Sequence, residues 1–301
     1  MKTTLPELPF ASWRPTKETL HVFTQIVGKI RLALAPPRNH WWHITSRVSS
    51  RGLTTGAIPF AAGTFEIEFD FVDHGVDVTT SNGGRARIAL RDGLSVAAFH
   101  RELFRHLETF GIRPKIRAVP YDLPFSRVPF AKDERHAAYD AEAVAKFGAM
   151  LRWTADVLER FAATFGGKTS PVHFFWHSFD LALTRFSGRR AAPIPGANRP
   201  TREAYSHEVA SYGFWAGDAW TPSPTFYGYA APVPAGLLDE KLAPRGAKWV
   251  PGTGQARLDW NVVRKSPQPR DTLLTFFGSV DAAIRRRANW RAAESREIAG
   301  T

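Results

Sequence analysis

Between Gly166 and Arg189 the chain reads GGKTSPVHFFWHSFDLALTRFSGR, a mixture of ionisable and bulky aromatic residues denser than in any other stretch. His173, His177, Asp180 and Arg185 can carry or move charge, and Trp176 with the neighbouring Phe residues can exclude water around them. Read as one strand, 173–180 sends His173, Phe175, His177 and Phe179 to one face and Phe174, Trp176, Ser178 and Asp180 to the other. Both faces are apolar enough to be covered, so each polar group needs a partner. Two readings follow. Either Asp180 and Arg185 satisfy each other as a buried ion pair, or Asp180, Arg185 and His173 converge on the wall of a small-molecule pocket. His173 and His177 also have the four-residue spacing of a helical zinc pair. The residue after His173 is Phe174, however, where that motif needs Glu. No metal set is assigned, and the His173/His177 pair is the alternative.

A second polar stretch, YSHEVASYGFWAGD at 205–218, supplies His207, Glu208 and Trp215. A His beside a carboxylate suits acid–base work, although neighbours on a strand face opposite ways, and Glu208 can instead pair with Arg185 across strands. The reading that joins these residues is a cleft. His207, Glu208 and His173 are its proton-handling groups, Arg185 holds an anionic group of the ligand, and Asp180, Trp176, Trp215 and His43 complete it. The competing readings are a non-catalytic protein whose polar residues form a buried structural network, and a polyanion binder acting through a basic C-terminal helix. No phosphate loop, dinucleotide fingerprint or nucleophile elbow is present, so no cofactor is expected and no reaction is named.

The elements that must position these residues follow from periodicity. Helices are expected at 16–34 (capped by Thr16), 95–110, 137–165 and 271–291. Strands are expected at His40–Ser49, Leu53–Phe60, 64–71, His74–Thr80 and Arg85–Leu90. Others should lie in the central stretch, within 205–218, and at 225–231 and 256–263. In 64–71, Phe65, Ile67, Phe69 and Phe71 alternate with Glu66, Glu68 and Asp70. That acidic face reads as solvated or Arg-paired, or alternatively as a cation site. The SNGG at 81–84 marks a hairpin, and 113–136, with four Pro, reads as a connection.

The segments HFFWHSFDLALTRFSGR, YSHEVASYGFWAGD and NHWW…RGLTT resemble an uncharacterised bacterial family, the domain of unknown function 5996 family, over nearly the whole chain. The resemblance implies no activity. The order helix, aromatic–His strand, further strands, closing helix occurs twice. The expected class is therefore α+β, with antiparallel sheets and flanking helices, as two related halves at 1–112 and 137–301 joined by 113–136. A cleft between the halves is the place to look for a site.

Composition bounds the partners. Formal net charge is +12, and residues 241–301 hold twelve Lys/Arg against five Asp/Glu. Arg285–Arg287, Arg291 and Arg296 read as the polar face and end of a terminal helix. No nucleic-acid motif accompanies them, which argues against nucleic acid and leaves a small anionic molecule as the expected partner. The absence of Cys excludes disulfides and thiolate chemistry and fits a reducing cytoplasm. No apolar run is long enough to span a membrane, so no membrane partner is expected.

Overall fold

The computed structural model describes residues 4–290, an α+β fold of helices packed on two antiparallel sheets. Helix α1, Phe10–Leu34, is buried along most of its length. It begins a turn and a half before Thr16, and Thr16 does not cap it; its hydroxyl accepts the Asp140 N–H at 2.9 Å instead. Pro36 and Pro37 lie beyond its end, as their missing N–H groups and fixed φ require.

The first sheet contains β1 Arg47–Val48, β2 Gly52–Thr54, β3 Ile58–Phe60, β4 Gly63–Asp70, β5 Gly75–Thr80 and β6 Arg85–Ala89, in the order β1-β2-β4-β5-β6 with β3 against β4. Phe65, Ile67, Phe69 and Phe71 are buried, as the alternation requires. The carboxylates on the other face of β4 are taken up locally. Thr54 donates to Glu66, Ser49 donates to Glu68 at 2.5 Å, and Arg51 holds Asp70 at 2.8 Å. Burial pushes the Asp70 pKa up, but hydrogen bonds from Arg51 and from the Asp73 and Val72 N–H groups outweigh it and bring the pKa down to about 2. The acidic face is thus a paired surface. Helix α2, Val96–Thr109, is capped by Ser95 and packs on α1, with Phe99 stacked on Phe23 at 4.2 Å.

Beyond the irregular 113–136 segment runs α3, Ala141–Ala163, capped by Asp140. The second sheet contains β7 His173–Phe175, β8 Asp180–Arg190, β9 His207–Trp215, β10 Thr225–Ala231, β11 Lys248–Val250 and β12 Gln255–Asp259, in the order β7-β8-β9-β10-β12-β11. Helix α4, Arg199–Ala204, bridges β8 and β9; α5, Trp260–Arg264, follows β12; α6, Pro269–Arg287, packs with α3 over one face of the sheet. The sheets touch where Ser46 and Phe174 exchange backbone hydrogen bonds of 2.9 and 2.8 Å.

Four expected strands are corrected. Leu53–Phe60 is not one strand but two, β2 and β3, parted at Gly56 with φ 61°. Residues 173–180 are not continuous, because Phe179 turns at φ 59° between β7 and β8. His40–Ser49 is mostly a tight turn, with His40 and Trp41 at φ 56° and 60°, and only Arg47–Val48 is extended. Residues 256–263 divide at Asp259, whose carboxylate caps α5 at the Asn261 N–H. In α6, Leu273, Phe276, Phe277, Val280 and Ile284 face the core.

Candidate functional site

Strand β8 separates two environments. Leu181, Leu183 and Arg185 point toward α3 and α6, and Asp180, Ala182, Thr184 and Phe186 point the other way, into a cavity of about 500 Å³. That volume lies within the range of small-molecule sites. Phe175, Val209, Ser211, Tyr227 and Tyr229 extend the cavity floor across β7, β9 and β10. Its walls are Lys29 and Leu32 of α1, the His40–Trp41–Trp42 turn, Tyr121, Trp176 and the α4 segment up to Tyr205.

Local sequence explains each wall. Trp176 lies flat on α1 because residue 28 is Gly; a Cβ there would stand 2.2 Å from the indole Cγ. The indole N–H donates to the Ile44 carbonyl at 2.9 Å. Tyr227 crosses Gly213, where a Cβ would meet the phenol at 2.4 Å, and its hydroxyl donates to Asp180 Oδ2. Ser178 donates to Asp180 Oδ1. Tyr227 stacks on Tyr229 at 6.1 Å, and the Tyr229 and Tyr205 hydroxyls share a 2.9 Å hydrogen bond. His40 Nδ1–H donates to the Ala204 carbonyl at 3.3 Å and its Nε2 accepts from Lys168 at 3.0 Å, which ties α4 to the turn.

Charge in the cavity is sparse. Burial pushes the Asp180 carboxyl up against the two hydroxyl hydrogen bonds, and pushes the neighbouring His177 imidazole down. Neither Asp180 nor Lys29 has an oppositely charged side chain within 4 Å among the described residues. Lys29 is only 8% exposed, and burial followed by the charge of Arg117 lowers its ionisation.

A model for a family of unknown function, DUF5996, matches residues 5–297. The chain belongs to that family. No curated protein and no solved structure matches the DUF5996 chain.

Of the residues singled out in the sequence, Asp180, Trp176 and His177 line this cavity. Asp180 and Arg185 are not paired: five residues apart on a strand, they lie on opposite faces. Arg185 is 2% exposed, 3.0 Å from Asp281, and donates to Thr164 Oγ1 at 2.9 Å and to the Phe161 carbonyl. Tyr212 donates to the same Asp281 at 2.8 Å. Arg185 is therefore part of a buried network, not a cavity-facing anion holder. Glu208 pairs with Arg189 at 2.7 Å and accepts the Trp290 indole N–H at 3.0 Å, and the Arg185–Glu208 pair does not form. His207 is half-buried, 5.6 Å from the His40 ring, with its Nδ1 3.1 Å from Ser206 Oγ.

His173 is buried behind Trp42, with its Nδ1 unpartnered; burial, then Arg47 and Arg31, lowers its ionisation to about 3. It does not meet His177, because the turn at 176–179 intervenes. Among the described residues no group of three metal-ligating side chains assembles. His43 is buried outside the cavity and accepts the Arg38 N–H at 3.2 Å. Trp215 shares the sheet face with Tyr227 but lies outside the lining, its ring 6.0 Å from the Arg257 guanidinium.

Sequence reasoning missed Lys29, Tyr227, Tyr229 and Tyr205. Lys29 had a signal: Lys17, His21, Gln25 and Lys29 recur every fourth residue of α1, a polar stripe on a helix that is otherwise core. The arginines of the terminal helix are paired, Arg286 and Arg287 with Glu240 at 3.2 and 2.6 Å and Arg285 with Asp281 at 3.6 Å. Arg291 and Arg296 lie outside the described residues. No described helix is long and apolar enough to cross a membrane.

Proposed function

We propose that this chain binds a small organic molecule with an apolar body and an anionic group, in the cavity formed by β7–β10, α1 and α4. The observation that carries the reading is Lys29: a lysine only 8% exposed, lining an aromatic cavity and without a carboxylate partner among the described residues. Burying an unpaired charge destabilises the fold, and a bound anion removes that cost. The anion holder is thus Lys29 in place of Arg185. The Trp and Phe walls supply the apolar surface, and Asp180 with Tyr227 supplies a polar end able to accept or return a proton. With no Cys to oxidise, we place the protein in a reducing cytoplasm.

The test is isothermal calorimetry with 3-phenylpropionate as probe, on the full chain and on Lys29→Met. Binding that weakens tenfold or more in the variant is the expected result. Equal affinity in both, or no binding to the parent chain at millimolar probe, would overturn the reading.

A further inference from the structure

Two formal charges of opposite sign line the cavity, Lys29 and Asp180, and they do not meet each other or any other charged side chain within 4 Å among the described residues. An anion at Lys29 leaves Asp180 unexplained. We infer that the ligand carries a protonated amine as well as its anionic group, with the amine held by Asp180 inside the tyrosine-lined end of the cavity. This rests on the reading of the cavity as a ligand site and names the class of its ligand: a zwitterion whose amine and anionic group sit at opposite ends of an apolar body.

The geometry around Asp180 supports a cationic donor. A carboxylate accepts at about four lone-pair positions. Ser178 occupies Oδ1 and Tyr227 occupies Oδ2, so each oxygen retains a position for a further donor. Both hydroxyls fix the carboxylate without neutralising it. Asp180 itself is half-buried and cavity-lining, so the free positions are reachable. Around it stand Tyr227, Tyr229 and Phe175, and aromatic faces attract ammonium groups within about 6 Å. Toward the other end of β8 the protein already holds an ammonium in that way: Lys168 lies 4.8 Å from the Phe186 ring and 5.3 Å from Trp42. Burial resists ionisation of Asp180, and an incoming ammonium is what offsets that resistance.

A matched set of probes separates the two ends. 3-[4-(Aminomethyl)phenyl]propionate carries both groups, 3-phenylpropionate lacks the amine, and 4-methylbenzylamine lacks the carboxylate. Calorimetry on the full chain should show the zwitterion binding at least tenfold more tightly than either. In Asp180→Asn, which keeps shape and removes charge, the preference for the zwitterion over phenylpropionate should fall below twofold, with an unchanged far-UV spectrum certifying the fold. Should Asp180→Asn fail to fold, Tyr227→Phe carries the test, and a preference for the zwitterion reduced threefold or more is expected. An intact preference in folded Asp180→Asn, or phenylpropionate binding as tightly as the zwitterion with dependence on Lys29 intact, would overturn the amine inference and leave the anion reading standing. No binding by any probe would overturn both.

Discussion

Replacing Arg185 with Ala tests the separation of the two faces of β8. The guanidinium is fully enclosed, ion-paired with Asp281 and hydrogen-bonded to Thr164 and the Phe161 carbonyl, with its carbon 3.6 Å from the Phe161 ring centre. Truncation leaves Asp281, itself buried, with the Tyr212 hydroxyl at 2.8 Å and Arg285 at 3.6 Å. Removing one partner of a buried pair costs about 3–5 kcal/mol, because the surviving charge stays desolvated. The loss should appear in urea as a lower midpoint at unchanged slope. The decisive companion is Arg185→Met with Asp281→Leu and Tyr212→Phe. It removes the buried charge pair and its phenol, while Thr164 still donates to the Phe161 carbonyl at 2.8 Å, so stability should return to within about 1 kcal/mol of the parent. Both variants should keep the cavity's affinity for its probe, since the network lies behind the sheet. A loss under 1 kcal/mol in Arg185→Ala, or a folded Arg185→Ala that no longer binds 3-phenylpropionate, would refute this assignment.

Gly28→Ala should destabilise by about 1–3 kcal/mol through overpacking against Trp176, and should alter tryptophan fluorescence because the indole is pushed off α1. Lys29→Met should raise stability by about 1 kcal/mol in the unliganded protein while weakening probe binding, which calorimetry and urea unfolding on the same samples would show together. His21 and His173 are held neutral by burial, each down to about 3, against about 6.5 in an unfolded chain. The unfolded state therefore takes up more protons in that window, and stability is lost as pH falls from 6.5 toward 3, by about 1 kcal/mol per ring between pH 7 and 5.5. Urea midpoints across that range should fall less steeply in His173→Phe; an identical slope would contradict the assignment. Glu208→Gln should change stability by less than about 1 kcal/mol, since its partner Arg189 is half-exposed.

Strong periodicity made the fold legible. The alternation in 64–71 identified β4 with its core face, and apolar spacing located α2, α3 and α6 to within a few residues. What defeated the reading was aromatic richness. NHWWHITS has the composition of a strand, yet His40 and Trp41 take left-handed backbone that only tertiary packing enforces. The site was half legible. Asp180, Trp176 and His177 were visible as polar and aromatic residues in one segment, and parity alone separates Asp180 from Arg185, since an odd spacing on a strand means opposite faces. Tyr227 and Tyr229 gave no signal, because alternating tyrosines on a central strand read as ordinary sheet residues. The cavity is also composite: Lys29 and Tyr227 are about 200 positions apart in the chain, and only the packing of α1 against the second sheet brings them to one space.

The two faces of β8 also bear on whether the polar cluster serves structure or ligand. A structural network predicts full satisfaction, and the Arg185 face approaches it: guanidinium, carboxylate, phenol and carbonyl are matched, with only Arg185 Nε unpartnered. The Asp180 face departs from it in three independent ways. Its carboxylate has hydroxyl partners but no cation, and its lysine has no anion. The turn that walls it is strained, with His40 and Trp41 both at positive φ, each costing on the order of 1–3 kcal/mol. These costs are not all offset by packing, since an apolar residue at position 29 would relieve the one at the lysine. Their collection around one half-enclosed aromatic cavity, and their absence from the back of the same strand, favours a ligand as the missing partner.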